Sequence, residues 1–182
     1  MTSNAGPGNR ILGSLRSVDG KGIVRIEDRF ATDIDDLWSA LTDPRRLARW
    51  YGEVEGDLRV GGDYRARLFA SGWAGTGRIE ACEPPSRLVV TVRESDESWR
   101  MGHGAPPVDR GIEATLAADG DHTILVIEVR GLPLDGIASY GAGWQIHAEN
   151  LAAYLAGRGR VDAETRWKEL IPAYQELAAD VS

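Results

Sequence analysis

"DIDDLWSALTDPRRLARWYG", residues 33–52, reads as two short helices separated by a proline. Ile34, Leu37, Trp38 and Leu41 recur at helical spacing and form one apolar stripe. Thr32 or Asp33 is placed to cap the first helix, and Asp35 and Asp36 put negative charge in its first turn, where the helix dipole favours it. Asp43-Pro44 ends that helix and starts the next, since proline is tolerated at a first helical position. Two tryptophans and a tyrosine fall within these 20 residues. Rings of that size cover large apolar areas. Trp38 is expected to pack into the body, and Trp50 and Tyr51 to stand near the mouth of a cavity.

Working outward, "GIVRIEDRFA" (22–31) alternates. Val24, Ile26, Asp28 and Phe30 share one face, and Arg25, Glu27 and Arg29 share the other, which is the pattern of a half-buried strand. Residues 1–20 contain Gly, Pro, Ser and Asn and are expected to be a flexible tail ending in a turn at "DGKG". Downstream, "GDYRARLF", "GWAGTGRIEACE", "RLVVTVRE", "GIEATLAAD" and "HTILVIEVR" read as strands. The joints between them carry the Gly, Pro and Asp-Gly of turn chemistry. The stretch 94–109 is polar and rich in Pro and Gly, so it is expected to be a long loop. Trp99 within it reads as a lid or a partner contact. In 136–157, Ile137, Tyr140, Trp144, Ala148, Leu151 and Leu155 keep helical spacing up to a C-capping Gly157.

An antiparallel sheet with one apolar face needs a cover, and only the helix over 137–156 is long enough. The expected class is therefore α+β, a curved antiparallel sheet wrapped around one long helix. The expected units are a tail (1–20), a ligand-binding domain (21–158) and a helical extension (159–182). In that extension Trp167, Leu170, Ile171, Tyr174 and Leu177 form a stripe that must be buried. Docking on the same chain is expected, with a homodimer as the alternative, and Pro172 should kink or split the helix.

Bulk properties narrow the function classes. A chain of 182 residues with 42% hydrophobic and 27% charged residues fits one ordinary globular domain. A net charge of -7 argues against a nucleic-acid partner. No run approaches the 18 apolar residues of a membrane span, and "MTSNAGPGNR" lacks a signal-peptide apolar region. Cys82 is the only cysteine and lies in a strand pattern, where it reads as a small apolar residue. A cytoplasmic location, without membrane insertion, is the expectation.

These features carry a family resemblance. The strand, "IDDLWSALTDPRRLARWYG", "GGDYR", "GTGRIEACEPPSRLVVTV" and the late "GW…L…YL" helix resemble the START-like helix-grip (SRPBCC) superfamily. Within it, the chain is similar to the activator of heat-shock protein 90 ATPase homologue-1-like group, over roughly residues 22–157. "W-x-A-L-T-D-P-x-x-L-x-x-W" and "E-P-P-x-R-L-x-x-T" are the most specific segments. The resemblance implies a helix-grip fold with an internal cavity for apolar or amphipathic ligands, in a superfamily that includes lipid carriers and polyketide cyclases. It also brings a chaperone partner and a stress-response role into view.

Trp50, Tyr51, Tyr64, Trp73, Trp144, His147, Leu151 and Tyr154 are the expected ligand-binding residues, an aromatic wall with few polar groups. If the protein is an enzyme of the cyclase or hydratase kind, His147 and Asp28 are the candidates for acid–base work. An inward Asp28 needs a partner, for which Arg65, Arg67, Arg78 and Arg93 are available in the sequence. His103, His122 and His147 have no metal-ligand spacing, so no metal is expected. "GTG" (75–77) and "GAG" (141–143) are not a dinucleotide fingerprint, and no cofactor is expected. The glycines of 75–77 are expected to let the sheet bend. A cytoplasmic binding protein for a small hydrophobic molecule is the leading expectation, ahead of the enzyme and of a chaperone-associated interaction protein.

Overall fold

The computed structural model describes residues 10–94 and 109–181. Trp99, His103 and most of the expected 94–109 loop lie outside the described residues. Eight antiparallel strands form one sheet: β1 (Gly13–Val18), β2 (Lys21–Phe30), β3 (Gly52–Gly56), β4 (Asp63–Leu68), β5 (Ala74–Glu83), β6 (Arg87–Glu94), β7 (Arg110–Asp119) and β8 (His122–Leu132). Their spatial order is β1-β2-β8-β7-β6-β5-β4-β3. Two short helices, α1 (Ile34–Thr42) and α2 (Pro44–Trp50), follow β2, and the long α3 (Ile137–Leu155) and α4 (Ala163–Ala179) close the chain. The α+β class and the helix-grip arrangement hold.

The start of the fold corrects one expectation. Residues 13–18 are not part of a free tail but pair with β2 from Gly13↔Ile26 to Val18↔Lys21. The turn between the two strands is Asp19-Gly20, with both φ angles positive (51° and 76°), which matches the twist of a hairpin. The strand escapes sequence reading because Leu15 and Val18 are its only apolar residues. β3, "GEVEG", escapes for the same reason. The caps follow the expected chemistry. The Asp33 carboxylate accepts from Asp36 N (2.8 Å) at α1, and the Asp43 carboxylate accepts from Arg45 N (2.9 Å) at α2, ahead of Pro44.

Cross-strand rows define the face toward α3. Val24, Val129, Ile112, Val90 and Ile79 form one row, and Ile26, Ile127, Ala114, Leu88 and Cys82 the next. Ile137, Ala148 and Leu151 of α3 pack into the same core. Each such side chain removed from water contributes roughly 1.5–3 kcal/mol.

α4 lies on the other side of α3. Leu170 and Tyr174 are fully buried there with Ala142 and Ile146, so the extension docks on its own chain. The Tyr174 ring occupies space left by Gly13 and Gly141, where any side chain would collide with it. Its hydroxyl donates to Gln145 Oε1 (2.6 Å). Gln145 also accepts from Leu12 N (3.0 Å) and donates to Arg10 O (2.7 Å) and Glu149 Oε1 (3.1 Å). One buried amide thus ties α3, α4 and the segment before β1 together. Arg166 pairs with Glu149 (2.7 Å) and Glu169 (2.9 Å) beside it. Trp167 is 38% exposed, outside this contact. α4 continues through Pro172 as one element, because Pro172 and Lys168 one turn before it both face solvent.

Candidate functional site

Two features of β5 shape the sheet side of the site. Gly75 and Gly77 point inward and are buried. The Trp73 ring covers Gly75 and the Tyr64 ring covers Gly77, so closely that a Cβ at either position would overlap them. The "GTG" glycines therefore serve as seats for aromatic rings, beyond the sheet bending expected of them. Trp73, just ahead of β5, and Tyr64, on β4, share this patch with Ile79, Val90 and Val92.

The helix side comes from α3 and from the α2–β3 junction. Trp144 and His147 are three residues apart on α3 and share a face. Tyr51, the residue between α2 and β3, meets both. Its ring centroid lies 5.0 Å from His147 and 6.5 Å from Trp144, and the Trp144–His147 separation is 5.3 Å. The two contacts of the imidazole are edge-on, at 62° and 66°. Burial raises the Tyr51 phenol, with Tyr64 near enough to raise it further, and pushes the Tyr64 phenol up to about 12. Both hydroxyls are neutral donors across the physiological range. Burial lowers the His147 imidazole to about 4, so it is neutral too. Its Nδ1 is buried with no hydrogen-bond partner among the described residues, and the same is true of Trp73 Nε1.

Other expected residues occupy different places. Trp50 is core, not cavity mouth. It is 3% exposed, because as the last residue of α2 it turns inward and donates its indole N–H to Ala40 O (3.0 Å). Leu151 is wholly buried in the core. The Tyr154 hydroxyl accepts from Arg46 Nε (2.9 Å), and Arg46 in turn holds Asp36 (2.9 Å), which ties α1, α2 and α3 together. Asp28 does not pair with Arg65, Arg67, Arg78 or Arg93. Its partner is Arg10 (3.0 Å), brought there by the segment expected to be a tail. Asp28 and His147 are therefore not a pair. His122 bonds Asp121 (2.8 Å) at a turn, and among the described residues no group of three or more His, Cys, Asp or Glu could hold a metal ion.

Arg110 was missed by sequence reasoning. It is buried at the start of β7, lies 4.5 Å from the Tyr140 ring centre and donates to Tyr140 Oη (2.7 Å). Alternation from Ile112, Ala114 and Leu116 puts it on the inner face, but the apolar run begins after it. At β4–β6 lies an open groove of about 590 Å³, bordered by charged side chains such as Arg65, Arg78 and Glu80 and also by Tyr64, Gly77 and Val92 of the aromatic patch. Among the described residues no helix is long and apolar enough to cross a membrane.

Comparison with known proteins bears on this geometry. CalU16 from Micromonospora echinospora has 27% sequence identity and a TM-score of 0.72, over 92% of this chain and 96% of that chain. DynU16, from the dynemicin biosynthetic locus, is 27% identical with a TM-score of 0.65, over 77% of this chain and 50% of that one. EF2215 from Enterococcus faecalis, at 16% identity and a TM-score of 0.69, shows the fold alone. No curated protein matches the chain. The family model "Activator of Hsp90 ATPase homolog 1-like protein" matches residues 31–156, from the end of β2 to the end of α3. Its span takes in the aromatic patch and leaves out β1 and α4. On that match the chain belongs to the family of activator of Hsp90 ATPase homolog 1-like proteins.

Proposed function

We propose that this protein is a cytoplasmic binding protein that holds a small hydrophobic or amphipathic molecule between the sheet and α3, against Tyr51, Tyr64, Trp73, Trp144 and His147. One observation carries the reading. The His147 side chain is 95% buried among aromatic rings, and its Nδ1 has no partner among the described residues. A buried polar atom without a partner costs roughly 1–3 kcal/mol, and a ligand atom beside it would recover much of that. The family's helix-grip fold agrees with such a role. The lone Cys82, with no disulfide partner in the chain, supports the cytoplasm. Trp50, Leu151 and Tyr154 then act as the frame of the site rather than its lining.

The test is titration with the uncharged apolar dye N-phenyl-1-naphthylamine, followed by its fluorescence. Saturable one-to-one binding is expected. Trp144→Ala should weaken it about 10-fold, the scale of losing one large ring contact. Trp167→Ala, on the exposed face of α4, should leave it unchanged. Absence of saturable binding, or equal affinity in all three proteins, overturns the reading.

A further inference from the structure

The groove at β4–β6 carries a charged cluster that the hydrophobic-ligand reading does not use. Alternation on these strands buries Ala66, Gly77 and Val92 and leaves Arg65, Thr76, Arg78 and Arg93 exposed, so these four side chains share the outer face of the sheet. The register gathers them around one point. Thr76 pairs with Arg65 on one side and with Arg93 on the other, and Arg78 follows two residues along β5. Neighbouring strands are about 4.8 Å apart and diagonal neighbours about 7–8 Å, spans that an arginine side chain covers. All four residues border the same groove of about 590 Å³. Three cations around one hydroxyl repel each other unless an anion lies among them. Arg93 has its own, in an ion pair with Asp109 (2.7 Å). Arg65 and Arg78 pair with no carboxylate among the described residues, although Glu55 stands opposite Arg65 and Asp63 opposite Arg78 in the register.

We infer that this groove binds a phosphate monoester of a small molecule, with the phosphate held by Arg65, Arg78 and Thr76. A guanidinium offers two parallel N–H donors that match two oxygens of a phosphate, and the threonine hydroxyl between the two arginines adds a donor out of their planes. Donors arranged in this way suit a tetrahedral oxyanion better than a flat carboxylate. A phosphate ion is far smaller than the groove, which leaves room for an organic part. The net charge of -7 disfavours a polyanion such as nucleic acid, so a small ester is the occupant. None of the three side chains belongs to the Tyr51–Trp144–His147 group, and the inference does not depend on a hydrophobic ligand there.

The probe is phenyl phosphate, titrated into the full chain by calorimetry at low salt, with inorganic phosphate and benzoate as comparisons. Saturable one-to-one binding is expected, tighter than that of either comparison and weakened by added salt, because the guanidiniums are exposed. Arg65→Gln and Arg78→Gln should each weaken it about 10-fold, the scale of one charge-assisted hydrogen bond, and Thr76→Val about threefold. Arg25→Gln makes the same charge change on β2, where Arg25 pairs with Glu27, and should leave the affinity within about twofold. In the wild-type protein the amide resonance of Thr76 should move on adding phenyl phosphate and that of Arg25 should stay in place, which locates the site without any variant. Absence of saturable binding, an unmoved Thr76 resonance, or a loss with Arg25→Gln as large as with Arg78→Gln overturns the inference. Inorganic phosphate or benzoate binding as tightly as phenyl phosphate also overturns it, as does binding to phosphatidic acid vesicles without binding of phenyl phosphate, which would make the source a lipid surface. Dye binding is read separately, and neither result decides the other.

Discussion

Burial of His147 couples folding to pH. The folded imidazole takes a proton only near pH 4, while in the unfolded chain it does so near its ordinary 6.5. Between these values the unfolded state binds about one proton more than the folded state. Stability is then fully present above pH 6.5 and is lost as pH falls, by about 1.4 kcal/mol per unit and on the order of 3 kcal/mol in all. Chemical denaturation of wild type and His147→Gln at pH 7.5 and pH 5 isolates this from the carboxylates. The advantage of the wild type should shrink by roughly 2 kcal/mol between the two, and a ring resonance titrating near 6.5 would refute it. Helical spacing from Trp144 and Leu151 made the position of His147 legible in sequence. Its open Nδ1 was not, because that depends on what the sheet and the α2–β3 junction place opposite. Asp28 shows the same limit. Alternation found its inward position, yet its partner Arg10 sits in a segment without periodic signal.

At the scale of elements, the parts with strong periodicity were readable and the edge strands were not. Six of the eight strands, both short helices and α3 carry the alternation or the 3.6-residue stripe that burial on one face imposes. β1 and β3 sit at the two edges of the sheet, and few of their side chains reach the core. β1 is held by α4, through the Tyr174 ring at Gly13, and by α3, through the Gln145 hydrogen bonds to Leu12 and Arg10 just ahead of it. Ser17 Oγ also donates to Val181 O (3.2 Å) at the end of the chain. The docking of α4 should therefore stabilise β1 and α3 together. Truncation after Arg160 should lower the melting temperature with the oligomeric state unchanged, and should speed amide exchange in β1 as well. Tyr174→Ala should cost about 3–5 kcal/mol, as for other large rings removed from a core, and Tyr174→Phe only about 1 kcal/mol. Truncation without effect on β1 exchange would show that the strand stands without the helix.

Across the whole molecule, two glycine pairs with the same spacing do different work, and that difference gives the last test. Gly141 makes room for Tyr174 on the outer side of α3, whereas a Cβ at Gly143 meets nothing within 4 Å. Gly77 lies under the Tyr64 ring, on the sheet side of the site. Gly143→Ala adds a good helix former to open space and should stabilise the protein by roughly 0.5–1 kcal/mol. Gly77→Ala forces Tyr64 off its seat and should destabilise by roughly 1–3 kcal/mol, as overpacking does. A ligand that binds only the folded chain adds about 2.7 kcal/mol at 100 times its dissociation constant. For a chain of this length that raises the melting temperature by about 5–10 °C. With the naphthylamine dye, wild type and Gly143→Ala should both show that rise, because neither the seat of Tyr64 nor the Tyr51–His147 contact changes. Gly77→Ala should lose most of it, since a Cβ at that position overlaps the Tyr64 ring and the ring cannot keep its place in the site. A full thermal shift in Gly77→Ala would mean that the dye does not sit against Tyr64.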